Sequence, residues 1–102
     1  MSVLVNFAMF PTDKGDSVSP YVARIEKAIR DCGFPSQLTP MSTIVETETL
    51  AEALSVIQAA HDAIADDCNR MYISATIDER RGKSNRMKSK IESVERKIEG
   101  LK

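Results

Sequence analysis

In 102 residues the chain has no tryptophan, one histidine, two cysteines and four glycines, and 5% of it is aromatic. Each shortage closes a class of function. Transition-metal sites need clustered His and Cys, and His61, Cys32 and Cys68 offer no Cys-x-x-Cys or His/Cys cluster, so no metal is expected. The glycines at 15, 33, 82 and 100 form neither a phosphate loop nor a dinucleotide fingerprint. No serine sits in a nucleophile-elbow context, and no resident cofactor is expected. The N-terminal apolar stretch is too short to span a bilayer, which takes about 20 residues. It also lacks the basic start of a secretory signal. Two cysteines without such a signal point to reduced thiols and a cytoplasmic location.

What is present is ordinary in amount and uneven in place. Hydrophobic residues make up 42% and charged residues 28%, enough for one core and one domain over 1–102. Residues 1–79 carry 5 Lys/Arg against 12 Asp/Glu, whereas residues 80–102 carry 9 against 3. An acidic body with a basic C-terminal segment reads as a docking helix or interaction tail.

Hydrophobic periodicity divides the chain into seven elements. Residues 3–10 alternate as a strand, with Val3, Val5, Phe7 and Met9 on one face and Leu4, Asn6, Ala8 and Phe10 on the other. Ser19 as N-cap and Pro20 open a helix that Gly33 stops. Residues 36–39 and 42–47 are two short strands; if the second is an edge, its backbone around 43–45 is unpaired. Thr49 and Glu52 fit a capping box before a second helix with Leu50, Leu54, Ile57, His61 and Ile64 on its stripe. Residues 70–77 form a fourth strand and 78–85 a charged loop. Met87, Ile91, Val94, Ile98 and Leu101 define a third helix. The order β-α-β-β-α-β-α is an α+β, ferredoxin-like βαββαβ sandwich with an extra C-terminal helix.

In such a sandwich two helices cover one sheet face. The sets Val3/Val5/Phe7/Met9 and Met71/Ile73/Ala75/Ile77 belong under them. The other face then shows Leu4, Asn6, Ala8, Phe10, Tyr72, Ser74 and Thr76, too apolar for water and too polar for a dry core. Two compatible readings follow: subunits pack there, or a small molecule binds at that interface. His61 reads as a core histidine rather than a base. Asp78-Glu79-Arg80-Arg81 reads as a solvated turn or an intersubunit ion pair in preference to a phosphate clamp. RNA binding ranks low, because the strands lack the aromatic signature of an RNA-recognition sheet.

Several short stretches, in this order and at this spacing, carry a resemblance: Phe10-Pro11, SVSPYVA at 17–23, PMSTIVET at 40–47, AAH at 59–61, IDERRGK at 77–83 and KIESV at 90–94. The chain resembles the small thiamine- and hydroxymethylpyrimidine-binding family of ferredoxin-like fold, related to YkoF-type proteins. The resemblance implies a cytoplasmic homotetramer that binds thiamine or its pyrimidine half without catalysis. The family's third-strand motif reads Met-Gly-Thr-x-x-Glu. Met41, Thr43 and Glu46 match it, and Ser42 stands in place of the glycine.

On that basis the expected ligand contacts are Asn6, Phe7, Ala8, Ser19, Thr43, Ile44, Val45 and Glu46, with Glu46 accepting from the aminopyrimidine. Strict alternation sets Thr43 and Glu46 on opposite faces, so one pocket can hold both only at a bulge, a strand end or a subunit boundary. The expected function is a carrier, buffer or sensor. The alternatives are a purely structural or regulatory homo-oligomer, and a small enzyme using Glu46 or His61.

Overall fold

A computed structural model describes residues 1–101. Its strands are β1 (Ser2–Pro11), β2 (Ser36–Leu38), β3 (Thr43–Thr47) and β4 (Met71–Arg80). Its helices are α1 (Ser19–Asp31), α2 (Leu50–Asp62) and α3 (Arg86–Glu99), with a 3-10 turn at Ala65–Asp67. All strand pairs are antiparallel, in the order β2-β3-β1-β4. This is the split βαβ order of the ferredoxin-like sandwich.

Pairing of β1 with β3 sets Val5 opposite Val45 and Phe7 opposite Thr43. These residues face α1 and α2. The core joins Val3, Val5, Phe7, Met9 and Val45 to Ile25 and Ile29 of α1, Ala53, Val56 and Ala60 of α2, and Ile64. The capping box at α2 forms as expected: the Glu52 N–H donates to Thr49 Oγ1 at 3.1 Å, and the Thr49 N–H donates to Glu52 Oε1 at 3.0 Å.

Several local expectations are corrected. The buried face of α2 is Ala53, Val56 and Ala60, while Leu50 and Leu54 point to solvent. Small residues let the helix lie close to its neighbours, and apolar periodicity alone does not tell which stripe turns inward. His61 is correspondingly not a core residue; its half-exposed ring contacts Asp62 through Nδ1 at 3.0 Å. Ser19 is the first helical residue of α1 rather than its cap; Val18 holds the cap position, without a side-chain bond.

The sheet differs from expectation at its margins. β4 runs through Asp78, Glu79 and Arg80, because Ser2 to Leu4 of β1 continue the ladder beside them. A strand edge open to water tolerates charge, so the polar sequence does not end the strand. The edges are β2 and β4, so the backbone of β3 is paired on both sides rather than free. Ile73 and Ile77 of β4 stay 43% and 42% exposed, only partly under the helix layer.

Candidate functional site

β3 ends opposite Phe7, whereas β1 continues to Pro11 with only β4 beside it. The flank of β1 from Ala8 to Phe10 therefore has no strand next to it. A cavity of about 230 Å³ occupies that gap. Its walls are Phe7 to Phe10 of β1, Val22, Ile25 and Glu26 of α1, and the Leu38–Thr43 turn.

That turn is shaped by Thr39. Its Oγ1 accepts from the Ser42 N–H at 3.0 Å and the Met41 N–H at 3.3 Å, and its N–H donates to the Ser42 carbonyl at 2.8 Å. Among the described non-glycine residues only Asn85 has positive φ, so Ser42 sits without backbone strain where the resembling family has glycine.

Glu26 is the polar feature of this cavity. It stands beside Ile25 and one turn before Ile29, on the inward face of α1, and is 8% exposed. The Thr43 hydroxyl donates to its Oε1. Among the described residues no cation pairs with it. A buried carboxylate without a counter-ion costs several kcal/mol unless something satisfies it. One oxygen is met by Thr43; the other is open to water, since no described side-chain oxygen is both buried and unpartnered, and it keeps lone pairs for a further donor. A second cavity, of about 540 Å³, adjoins on the outer side of Glu26 and shares Val22 and Leu38; Ser19 lies on its wall. Sequence reasoning missed Glu26, although a carboxylate at a stripe position between Val22 and Ile29 is the signal that marks it.

Of the expected contacts, Phe7, Ala8 and Thr43 come together in the first cavity and Ser19 lies at the adjoining one. Val45 is fully buried in the core. Its side chain packs under the helices, away from both cavities. Asn6, Ile44 and Glu46 lie on the opposite sheet face. There Ile44 and Leu4 form a shallow groove of about 210 Å³ with Met87 and Ile91 of α3.

Glu46 is engaged with α3. Its Oε2 accepts from the Ser2 hydroxyl at 2.5 Å and the Arg86 N–H at 2.7 Å, and its Oε1 accepts from the Met87 N–H at 3.0 Å. The carboxylate thus meets the first-turn amides of α3, where the helix dipole favours negative charge. Burial pushes the Glu46 carboxyl up, but the Ser2 hydroxyl, the two amides and the Arg86 charge outweigh it and hold it below its usual range.

Arg86, 4% exposed, completes the clasp. Its guanidinium donates to Ser2 Oγ at 3.0 Å, the Ser2 carbonyl at 3.0 Å, the Asp78 carbonyl at 2.6 Å and Asp78 Oδ2 at 2.8 Å. The Arg86 bond, with its charge and that of Lys90, lowers the Asp78 carboxyl. Sequence reasoning missed Arg86 because its partners lie more than 80 residues away, at Ser2, as well as in β4.

The rest of the open face is uncovered. Phe10 and Tyr72 stack at 5.2 Å between ring centroids. Beyond its first turn α3 leaves Ile91, Val94 and Ile98 about half exposed. Among the described residues no three His, Cys, Asp or Glu side chains gather as a metal site, and no helix is long and apolar enough to cross a membrane.

The family model for thiamine-binding proteins matches residues 5–95. A UPF0045 protein of Mycobacterium bovis is 36% identical over 96 residues, covering 94% of each chain. The UPF0045 protein YqgV of Bacillus subtilis is 39% identical over 90 residues, covering 81% of this chain and 84% of its own. Among solved structures, a hypothetical protein of Methanocaldococcus jannaschii superposes with a TM-score of 0.82 at 29% identity, over 91% of this chain and 95% of that one. A candidate thiamine biosynthesis/salvage protein of Thermotoga maritima superposes with a TM-score of 0.75 over 89% and 99% of the two chains; at 19% identity it speaks to the fold alone. The family model spans residues 5–95, most of the chain, so the chain belongs to the thiamine-binding protein family.

Proposed function

We propose that this chain binds thiamine or its hydroxymethylpyrimidine half in the cavity beside Glu26, without catalysis, as a cytoplasmic carrier, buffer or sensor. One observation carries the reading. A nearly buried carboxylate, met among the described residues by one hydroxyl and no cation, stands on the wall of a mostly apolar cavity. An aminopyrimidine supplies what that carboxylate lacks: an exocyclic amine and, when protonated, a ring N–H. The cationic thiazolium of whole thiamine would add opposite charge. Thr43 orients the carboxylate, Phe7 and Ala8 supply apolar contact, and the strand-free flank of β1 offers peptide groups to a planar heterocycle.

The cavity, at about 230 Å³, falls below the ~300 Å³ where drug-sized pockets begin. It suits one substituted ring, so the remainder of thiamine would extend past Glu26 toward Ser19. The protein is proposed to act as a homo-oligomer, a tetramer in the resembling family, packed through the open sheet face. Asn6 and Ile44 would then meet a ligand only across that interface, and Glu46 would serve chiefly to hold α3.

Calorimetric titration with thiamine and with hydroxymethylpyrimidine tests the reading. Saturable binding of at least one is expected, and no heat from either at millimolar ligand overturns it. The exposed stripe of α3 favours a second reading, a purely structural homo-oligomer. That protein would assemble normally and bind neither ligand.

A further inference from the structure

We propose that the groove between the end of β4 and the flank of α3 is an anion site for a small molecule bearing a diphosphate group. The groove has a volume of about 460 Å³. Its lining carries Arg80, Lys83, Lys90 and Arg96, with the hydroxyls of Ser89 and Ser93, and no carboxylate. Arg86, Ser89, Lys90, Ser93 and Arg96 recur at helical spacing, so they form one stripe along α3. Arg80 joins them because it pairs with Ser2, on the sheet face that α3 contacts.

Charge in this groove is only partly compensated, by Asp78 against Arg86 and Lys90. Arg86 is held by four hydrogen bonds to Ser2 and Asp78 and acts as a rigid wall. Lys90 lies 3.6 Å from Asp78 Oδ2. Among the described residues Arg80, Lys83 and Arg96 have no ion pair. Like charges crowded on one helix flank repel, and an anion held between them relieves that cost. Guanidinium forks bind phosphate oxygens in pairs, and the two serine hydroxyls add neutral donors.

Spacing selects the ligand class. The backbones of Lys90 and Arg96 stand about 9 Å apart along the helix axis, so their side chains must converge further on one phosphate than on a pair of linked phosphates. A diphosphate reaches both. The groove lies about 20 Å along β1 from the Glu26 cavity and on the other sheet face, so one small molecule cannot fill both within a protomer. The anion is therefore a second ligand, independent of the thiamine reading.

The test titrates pyrophosphate and inorganic phosphate into the full chain and into Arg80→Gln/Arg96→Gln at low ionic strength. Pyrophosphate is expected to bind saturably and about tenfold tighter than phosphate. The double variant is expected to lose about tenfold or more, and added salt to weaken binding steeply. Thiamine titration should be the same for both proteins, which separates this site from the first. No saturable pyrophosphate binding at millimolar concentration overturns the proposal, as does equal affinity in the variant. A changed molecular mass in the variant would mean that a second copy covers the groove. Tighter capture of a single-stranded RNA oligomer than of pyrophosphate would make it a nucleic-acid surface, and either result replaces the proposal.

Discussion

Glu26 and Glu46 are both buried carboxylates, and their donors differ in kind. Glu46 receives a hydroxyl and two helix-start amides; Glu26 receives one threonine hydroxyl. Glu46→Gln puts an amide group among donors that need an acceptor. It should cost about 1–3 kcal/mol in urea unfolding at neutral pH. The folded-state pKa of Glu46 is depressed, so its stabilisation is present above the unfolded carboxyl pKa and lost as pH falls through the folded value. The gap between wild type and Glu46→Gln should therefore be full near pH 7 and close below about pH 4. A gap that stays constant with pH contradicts the clasp. Glu26→Gln should instead leave stability unchanged or raise it, because no cation is orphaned. PMSTIVET was legible as a strand with Thr43 and Glu46 on opposite faces. Which of its groups serve packing was not, since Glu46 is satisfied from Ser2 and from Arg86 and Met87, about 40 residues away in each direction.

α2 and α3 show what periodicity can and cannot decide for an element. Both helices were legible from their spacing, and Thr49 and Glu52 marked the start of α2. The inward face of α2 was not, because Leu50 and Leu54 match a helical stripe as well as Ala53, Val56 and Ala60 do. Close approach to the neighbouring layer favours the small residues. Ala53→Leu should cost about 1–3 kcal/mol by overpacking, while Leu54→Ala should stay within about 0.5 kcal/mol; chemical denaturation of the two variants checks this, and the reverse order contradicts the packing. β4 was read three residues short because its end is charged, and only the partner strand shows that the ladder continues. Alternation also put Thr43 and Glu46 on opposite faces, and the structure keeps them there: one at the cavity, the other at the helix clasp.

Across the whole molecule, the order of elements and the two unequal sheet faces were legible; the interior place of β3 in the order 2-3-1-4 was not. The cavity was not, because it arises where β3 stops opposite Phe7 while β1 runs on to Pro11. No single element encodes that gap. The uncovered face and the half-exposed Ile91, Val94 and Ile98 form an apolar surface that a lone protomer leaves in water. Val94→Asp should therefore lower the molecular mass seen by light scattering while the helical circular dichroism persists; an unchanged mass contradicts assembly through α3. The proposed ligand binding in the cavity depends on Glu26. Calorimetric titration of thiamine and hydroxymethylpyrimidine into wild type, Glu26→Gln and Glu46→Gln tests it most directly. Glu26→Gln should lose about tenfold or more in affinity, and Glu46→Gln should bind with near wild-type affinity. Undiminished binding by Glu26→Gln would contradict that dependence.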